Sequence, residues 1–119
     1  MITLVGLGVA RGDLTLNAVE ALMSGEKVLL RTEVTPAADF LREKGVPFET
    51  LDDIYEENED FDEVNDAAAE RVIDAARSGG VIYGVPGGAG LMDATVSAVI
   101  RRAAEEKLDW RVIPGVGLY

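Results

Sequence analysis

Three glycine-rich segments contain the residues whose types and spacing best suit the binding of a small ligand. Each includes or follows the end of an apolar run, and we call them the first turn (Gly6–Asp13), the second turn (Val85–Gly90) and the third turn (Ile113–Gly117). Glycine accepts a positive φ angle and lets a ligand approach the backbone closely. In an open parallel sheet, ligands bind beyond the carboxyl ends of the strands. The pattern therefore predicts a backbone-lined ligand site at one edge of a sheet.

Two missing residue types narrow the chemistry of such a site. The sequence contains no cysteine and no histidine. Disulfides, thiolate metal sites and thiol nucleophiles are therefore excluded, and so is a Ser-His-Asp triad. The usual imidazole general base is absent as well. The sequence alone assigns no catalytic residue.

A dinucleotide cofactor is one alternative for the first turn. The turn reads Gly-x-Gly-x-x-x-Gly instead of the Gly-x-Gly-x-x-Gly of dinucleotide-binding proteins, and Glu33 could contact a ribose hydroxyl. However, Arg11 occupies a place where the following helix must begin close to the strand, and the other two turns have no role in that scheme. A nicotinamide or flavin cofactor is therefore disfavoured.

The composition indicates a single globular domain with an acidic surface. The chain has 119 residues, of which 48% are apolar and 28% are charged. Its formal net charge of −11 disfavours a nucleic acid or an anionic membrane as partner. The start of the sequence has neither a basic segment nor a long apolar stretch. We therefore expect a soluble, cytoplasmic protein.

Short apolar runs alternate with helical patterns along the whole chain. The predicted strands are Ile2–Leu7, Lys27–Arg31, Phe48–Leu51, Gly80–Val85 and Trp110–Ile113. The predicted helices are Thr15–Ser24, Pro36–Lys44, Asp60–Arg77 and Leu91–Lys107. This alternation predicts an α/β fold with a five-stranded, mainly parallel sheet and helices on both faces.

Helical spacing also predicts which side chains face the core. In the first helix these are Leu16, Val19, Leu22 and Met23, and in the second they are Ala37, Phe40 and Leu41. In the third and fourth helices they are Phe61, Val64, Ala68, Val72, Ala75, Val96, Val99, Ile100 and Ala103. Tyr83 and Trp110 are expected at core or sheet positions.

Several motifs, in matching order from Ile2 to Leu118, together resemble one known family. Ile-Thr-Leu-Val-Gly-Leu-Gly at residues 2–8 is similar to the opening strand and loop of the tetrapyrrole (corrin/porphyrin) methylases. Val-Ile-Tyr-Gly-Val-Pro-Gly-Gly at 81–88 and Arg-Val-Ile-Pro-Gly-Val-Gly at 111–117 resemble their second and third motifs. The stretch from Leu30 to Asp74 is most similar to the methylase-like domains fused to MazG-type nucleotide pyrophosphohydrolases.

The resemblance implies an S-adenosylmethionine-dependent methyltransferase whose cofactor lies between two α/β lobes. The chain covers the N-terminal lobe at residues 1–119 and lacks the C-terminal lobe, so the isolated lobe is expected to be inactive, with its first strand inside the sheet. Carried over by motif, the cofactor-binding residues are Pro86, Gly87, Gly88, Pro114, Gly115, Val116, Gly117 and Leu118. The substrate-binding residues, facing a small methyl acceptor such as a tetrapyrrole, are Gly8, Arg11, Gly12 and Asp13.

Two departures from the family pattern keep other functions open. The family's first turn reads Gly-x-Gly-Pro-Gly-Asp, where this chain has Val9-Ala10-Arg11, and its second turn continues with Asp or His and then Pro, where this chain has Gly88-Ala89. We expect the cofactor pocket to persist while the acceptor is altered or lost. The alternatives are a non-catalytic regulatory or dimerisation module of a MazG-type fusion and a stand-alone nucleotide-binding protein. Because a missing lobe would expose apolar surface, we also expect a homodimer.

An acidic stretch raises the separate question of a metal site. Glu56-Glu57 and Glu63-x-x-Asp66 resemble the metal-binding carboxylates of MazG-type pyrophosphohydrolases, but they are nearly adjacent in this chain. We predict a solvated helix face without a metal. The stretch comprises Asp52, Asp53, Glu56, Glu57, Glu59, Asp60, Asp62, Glu63, Asp66 and Glu70.

Overall fold

Five parallel strands form one sheet in the computed structural model, which describes residues 1–88 and 93–116 apart from the side chain of Arg11. The strand order is β3-β2-β4-β1-β5, so β1 lies inside the sheet, as expected. The predicted α/β fold is confirmed, and every strand pair is parallel. The strands are β1 (Ile2–Gly6), β2 (Lys27–Leu30), β3 (Glu49–Thr50), β4 (Val81–Val85) and β5 (Trp110–Ile113).

Among the described residues, five helices and one short 3₁₀ segment connect the strands. The four predicted helices are present, and a fifth, of six residues, was not predicted because its acidic sequence has little helical periodicity. The helices are α1 (Leu16–Leu22), α2 (Pro36–Glu43), α3 (Asp52–Glu57, the unpredicted one), α4 (Phe61–Arg77) and α5 (Ala94–Glu105), with the 3₁₀ segment at Arg11–Asp13.

Side-chain caps explain where the helices begin. Thr15 Oγ1 accepts a hydrogen bond from Ala18 N at the start of α1, and Asp60 Oδ1 accepts one from Asp62 N at the start of α4. Thr35 caps α2, which begins at Pro36, the predicted first residue of this helix. These caps satisfy amide groups that have no partner inside the helix.

The core has two layers, one on each face of the sheet. Tyr83, Val85 and Leu29 pack against α3, α4 and α5, whereas Val5 and Leu30 pack against α1 and α2. Alternate residues of each strand contribute to opposite layers, as strand geometry requires. Within the described part of the chain, no helix is long and apolar enough to cross a membrane.

Two of the core positions predicted in the first helix are wrong. In α1 the sheet-facing side is formed by Ala18, Ala21 and Leu22, while Leu16 is 82% exposed and Met23 is 47% exposed. Because these three positions share one face of the helix, Leu16 lies on the opposite face, and Met23 follows the last helical residue.

Phe61 is also more exposed than predicted, whereas Trp110 occupies a sheet position, as predicted. Phe61 is the first residue of α4 and is 84% exposed, because the first helical turn does not reach the sheet. Trp110 is 42% exposed because it begins the edge strand β5. Helical and strand spacing in the sequence predict which face of an element a side chain lies on. They do not show where that element extends beyond its neighbours.

Candidate functional site

The three glycine-rich turns meet through backbone hydrogen bonds at the carboxyl edge of the sheet. Gly8 and Gly87 form an antiparallel bridge, with N–O distances of 3.0 Å in both directions. Gly115 N donates to Gly88 O at 3.2 Å. We call the five residues Gly6, Gly8, Gly87, Gly88 and Gly115 the glycine platform. Three segments that are distant in sequence therefore form one surface.

This platform has no room for side chains at its centre. A β-carbon on Gly6 would lie 2.6 Å from Gly115 N and 2.8 Å from Gly87 O, closer than real β-carbons approach other atoms. Gly8 and Gly87 also have positive φ angles of 71° and 84°, which glycine adopts without steric strain. The close contacts between the turns and these backbone angles therefore require glycine.

The four predicted substrate-binding residues lie together in the first turn. Asp13 Oδ2 accepts hydrogen bonds from Val9 N at 3.1 Å and Ala10 N at 2.9 Å, so this carboxylate fixes the turn conformation. In the described part of the chain, no atom lies within 4 Å of a β-carbon on Gly12, whereas a β-carbon on Gly8 would collide with the Asp13 side chain. The backbone of Arg11 lies in the 3₁₀ segment.

The predicted cofactor-binding residues fall on the second and third turns. Residues 86–88 are partly buried, and of the third turn Gly115 is partly buried while Pro114 and Val116 are exposed. Gly117 and Leu118 lie outside the described residues. No charged side chain belongs to residues 86–88 or 114–116, so these parts of the turns present peptide groups and apolar side chains.

A polar cluster beside the platform was not predicted from the sequence. Arg31 follows β2 directly, and its Nη1 donates to Asp93 Oδ2. Asp93 Oδ1 accepts from Thr95 Oγ1 at 2.6 Å, and Tyr83 OH donates to Thr95 Oγ1 at 3.1 Å. Burial raises the pKa of Tyr83 above its usual value. The sequence Asp-Ala-Thr at 93–95 is typical of a helix cap and could have indicated a role for Asp93. The pairing of Asp93 with Arg31 depends on the strand order.

The acidic stretch forms surface ion pairs and helix caps. Arg71 Nη2 lies 3.1 Å from Asp53 Oδ2, and Glu70 contacts both Arg77 and Arg102. Arg77 is the main cause of the lowered pKa of Glu70, followed by Arg102. Among the described residues, no three acidic side chains are grouped so that they could hold a metal ion.

Glu33, the acid of the dinucleotide alternative, lies at the surface. Its Oε2 is 3.2 Å from Arg42 Nη2, and both side chains are more than half exposed. This ion pair directs the Glu33 carboxylate towards α2. The backbone hydrogen bonds that form the glycine platform do not involve Glu33.

Comparison with protein families gives a match over the full length. The family model described as Tetrapyrrole (Corrin/Porphyrin) Methylases matches residues 1–119. A protein of Bacillus subtilis (strain 168), "Uncharacterized protein YabN", is 31% identical over 115 residues. The match covers 96% of this chain and 24% of that protein.

Solved structures share the fold at low sequence identity. Diphthine synthase is similar with a TM-score of 0.72 and 22% identity, and the putative cobalamin synthesis related protein CobF from Corynebacterium diphtheriae with 0.66 and 24%. The methyltransferase CobJ is similar with 0.64 and 17%. Each match covers 98% of this chain but only 45%, 53% and 46%, respectively, of the other chain. The chain thus spans about half the length of these structures and about a quarter of YabN.

Proposed function

The chain belongs to the tetrapyrrole (corrin/porphyrin) methylase family, and on that premise we propose that its glycine platform binds S-adenosylmethionine for methyl transfer. The observation that carries the proposal is the meeting of the three glycine turns at one sheet edge. This is the edge at which open parallel sheets bind ligands.

The chemistry of the platform fits this cofactor. Peptide groups dominate its surface, and residues 86–88 and 114–116 bring no cationic side chain that would repel a sulfonium. The chain's net charge of −11 also favours a ligand with a positive centre. In this proposal Pro86, Gly87 and Gly88 hold one side of the cofactor, and Pro114–Leu118 hold the other.

The cofactor supplies an electrophilic methyl group, and the protein's task is to orient it. Transfer from a sulfonium depends on an in-line approach within a shielded site more than on a strong base. A site without histidine or cysteine is compatible with that requirement. We therefore assign the platform a positioning role and no proton transfer.

We place the methyl acceptor against the first turn. Gly8, Arg11, Gly12 and Asp13 then face it, with Asp13 holding the turn through the Val9 and Ala10 amides. Gly88 stands where the family has an acid or a histidine, so a polar contact to the acceptor is missing. We propose a small-molecule acceptor that differs from the uroporphyrinogen type.

We further propose that this chain forms the N-terminal lobe of the site and is inactive alone. The solved structures that it resembles are about twice as long. In this arrangement the cofactor is enclosed only when a second lobe covers the platform. Val9, Leu16, Val34 and Val116, which are exposed around the carboxyl edge, are the side chains that such a lobe would cover.

Calorimetric titration of S-adenosylhomocysteine tests the proposal. The ligand is titrated into the 119-residue chain and into the full polypeptide encoded by its gene, with adenosine as the control ligand. Micromolar binding of S-adenosylhomocysteine, and weaker binding of adenosine, is expected for the full polypeptide. No binding to either protein would contradict the proposal.

A regulatory module of a MazG-type pyrophosphohydrolase is the second candidate. It is favoured by the replacement of the family's acid at Gly88 and by the 24% coverage of YabN, which leaves most of that protein for other domains. The test is nucleotide pyrophosphohydrolysis by the full polypeptide. Activity in the absence of any S-adenosylhomocysteine binding would favour this candidate over the methyltransferase.

A further inference from the structure

A groove runs along one face of the sheet, between α1 and the edge strand β5. It consists of two adjoining hollows of about 300 and 260 Å³ that share Ser24 and Arg111, and it extends from Ile113 near the carboxyl edge to Gly80 at the amino edge. None of the five glycines of the platform lines it, so the groove is separate from the proposed ligand site. We call it the α1–β5 groove. Its principal lining residues are Thr3, Asn17, Glu20, Ser24, Arg111 and Ile113.

The side of α1 that faces the groove carries polar or small side chains. Asn17, Glu20 and Ser24 recur at intervals of three and four residues, so they form one stripe along α1 and the residue just beyond its cap. All three are exposed. Ala21 lies on the same stripe, and its short side chain lets a neighbouring helix approach to the usual axial separation of about 8–10 Å. The groove therefore fits a helix that lies alongside α1.

The sheet gives a second reason to expect a helix at this position. Parallel strands are normally covered on both faces. On one face of β5, Val112 packs against the core layer that includes α4 and α5. On the other face, α1 leads from β1 to β2 and α2 leads from β2 to β3, so both connections run away from β5. Within the described part of the chain, this face of β5 is left open at Arg111, which is exposed.

Arg111 indicates the chemistry of the group that fills the groove. Its Nε donates to Thr3 Oγ1 at 3.2 Å, and Thr3 is only 4% exposed. No ion pair among the described residues includes Arg111. Its two terminal nitrogens therefore match the two oxygens of a carboxylate. Because Glu20 and Glu26 also line the groove, they oppose a free polyanion, and a single carboxylate on a helix is better suited.

We propose that the α1–β5 groove is the docking site of a helix from the second lobe, which places a carboxylate against Arg111. The inference rests on the proposed function, in which this chain forms one lobe of a two-lobe protein, and the solved structures that share its fold are about twice as long. The groove reaches the carboxyl edge at Ile113, so it is continuous with the edge that the second lobe covers in that proposal. The two lobes are then held together away from the ligand as well, and the groove is filled with or without cofactor.

Thiol labelling of single-cysteine variants tests the inference, because the 119 residues contain no cysteine of their own. In the full polypeptide, Ser24→Cys places a thiol in the groove, and Asn17→Cys is a second probe on α1. Ser78→Cys is the matched control, because Ser78 is also exposed and also follows a helix at the amino edge, but that helix, α4, lies on the opposite face of the sheet.

Both groove thiols of the full polypeptide are expected to react with a maleimide about tenfold more slowly than the control thiol, because a docked helix must open before the reagent can reach them. Peptide mass spectrometry assigns the labelled positions. In the 119-residue chain, the groove and control thiols are expected to react at similar rates, with or without S-adenosylhomocysteine.

A charge reversal tests the carboxylate. The full polypeptide with Ser24→Cys/Arg111→Glu is expected to react several times faster than the one with Ser24→Cys alone, because the new carboxylate repels that of the docked helix. Ser24→Cys/Arg101→Glu is the control, because Arg101 lies on α5, on the opposite face of the sheet. Arg111→Gln serves as a milder variant if the reversal prevents folding.

Equal labelling of groove and control thiols in the full polypeptide would overturn the inference, even if that polypeptide binds S-adenosylhomocysteine. Protection of the groove without any S-adenosylhomocysteine binding would support the docking site and contradict the proposed function. Protection in the 119-residue chain that increases with protein concentration would assign the groove to a second copy and so overturn the inference. Unchanged protection after charge reversal at Arg111 would refute the carboxylate.

Discussion

Gly6 and Gly115 approach each other so closely that neither position accommodates a β-carbon. On Gly115 it would meet Gly6 O and Gly87 O, and on Gly6 it would meet Gly115 N. Backbone atoms cannot move aside as the end of a flexible side chain can. At the scale of single residues, the absence of side chains at the platform is therefore what lets the three turns meet.

The substitution Gly6→Ala is expected to destabilise the protein by about 1–3 kcal/mol, the usual cost of overpacking. It should also weaken S-adenosylhomocysteine binding by the full polypeptide, because the turns must move apart. Urea unfolding and calorimetric titration measure the two effects. Gly12→Ala is the control, because no atom of the residues that the structure describes lies within 4 Å of a β-carbon at Gly12. Equal stability of both variants would contradict the close-contact explanation.

Tyr83 gives the protein a sensitivity to alkaline pH. Burial raises its pKa in the folded state, whereas in the unfolded chain it titrates near about 10. Above that pH the unfolded state loses a proton that the folded state keeps, so stability falls with a slope of up to about 1.4 kcal/mol per pH unit. Below about pH 10 both states keep the Tyr83 proton, so the contribution of Tyr83 to stability is fully present.

The substitution Tyr83→Phe is expected to reduce that slope and to cost about 0.5–1.5 kcal/mol at neutral pH, for the lost hydrogen bond to Thr95. Urea midpoints measured between neutral pH and strongly alkaline pH test both effects. An unchanged alkaline slope in the variant would mean that other groups cause the destabilisation.

Among the secondary-structure elements, α4 and α5 are joined by a surface network centred on Arg77. Its Nε and Nη2 donate to the two carboxylate oxygens of Glu106 at 2.9 and 2.7 Å, and its Nη1 donates to Glu70 at 3.1 Å. Arg77 is the first cause of the lowered pKa of both glutamates. Because a bidentate pair holds both side chains in one geometry, this network connects the two helices more firmly than a single exposed ion pair.

The substitution Arg77→Met is expected to lower stability near neutral pH and to have a smaller effect in acid. The glutamates have lowered pKa values in the folded state, so their contribution is present above their unfolded pKa of about 4.3 and is lost as the pH falls through the folded values. Urea midpoints at neutral and acidic pH measure this difference. Arg101→Met on α5 is the control, since Arg101 has no ion pair in the part of the chain that the structure describes. A destabilisation independent of pH would contradict the electrostatic explanation.

For the whole molecule, the distribution of exposed apolar side chains is uneven. Val9, Leu16, Val34 and Phe61 are exposed on connections or helix starts at the carboxyl edge. This is the edge at which the platform lies. We propose that the 119-residue chain, studied alone, pairs with a second copy through this edge, because covering apolar surface favours association.

The substitution Leu16→Ser is expected to shift the isolated chain towards monomer in sedimentation velocity runs at high protein concentration. Met23→Ser is the matched control, because Met23 lies just beyond the other end of α1, is also exposed, and faces the opposite edge of the sheet. A wild-type chain that is monomeric throughout, or an equal effect of the control, would contradict pairing through the carboxyl edge.

Much of the architecture was determined by the sequence itself. Apolar runs such as Val81–Val85 predict buried parallel strands because both of their faces must be covered, and Thr35-Pro36 predicts a helix start because it satisfies free amides. The three glycine-rich segments could be assigned to strand ends for the same local reasons. These features depend on residues that are neighbours in the chain, and this is why spacing and residue type are sufficient to find them.

The tertiary structure alone decided which of these features contact one another. The strand order brings Gly8 next to Gly87 and Gly88 next to Gly115, and it places Arg31 beside Asp93, 62 positions later in the chain. The packing of Ala18, Ala21 and Leu22 in the core also places Leu16 on the solvent-facing side of α1. Such contacts depend on how whole elements pack, and the energy of packing is shared among many residues, so no local pattern in the sequence specifies them.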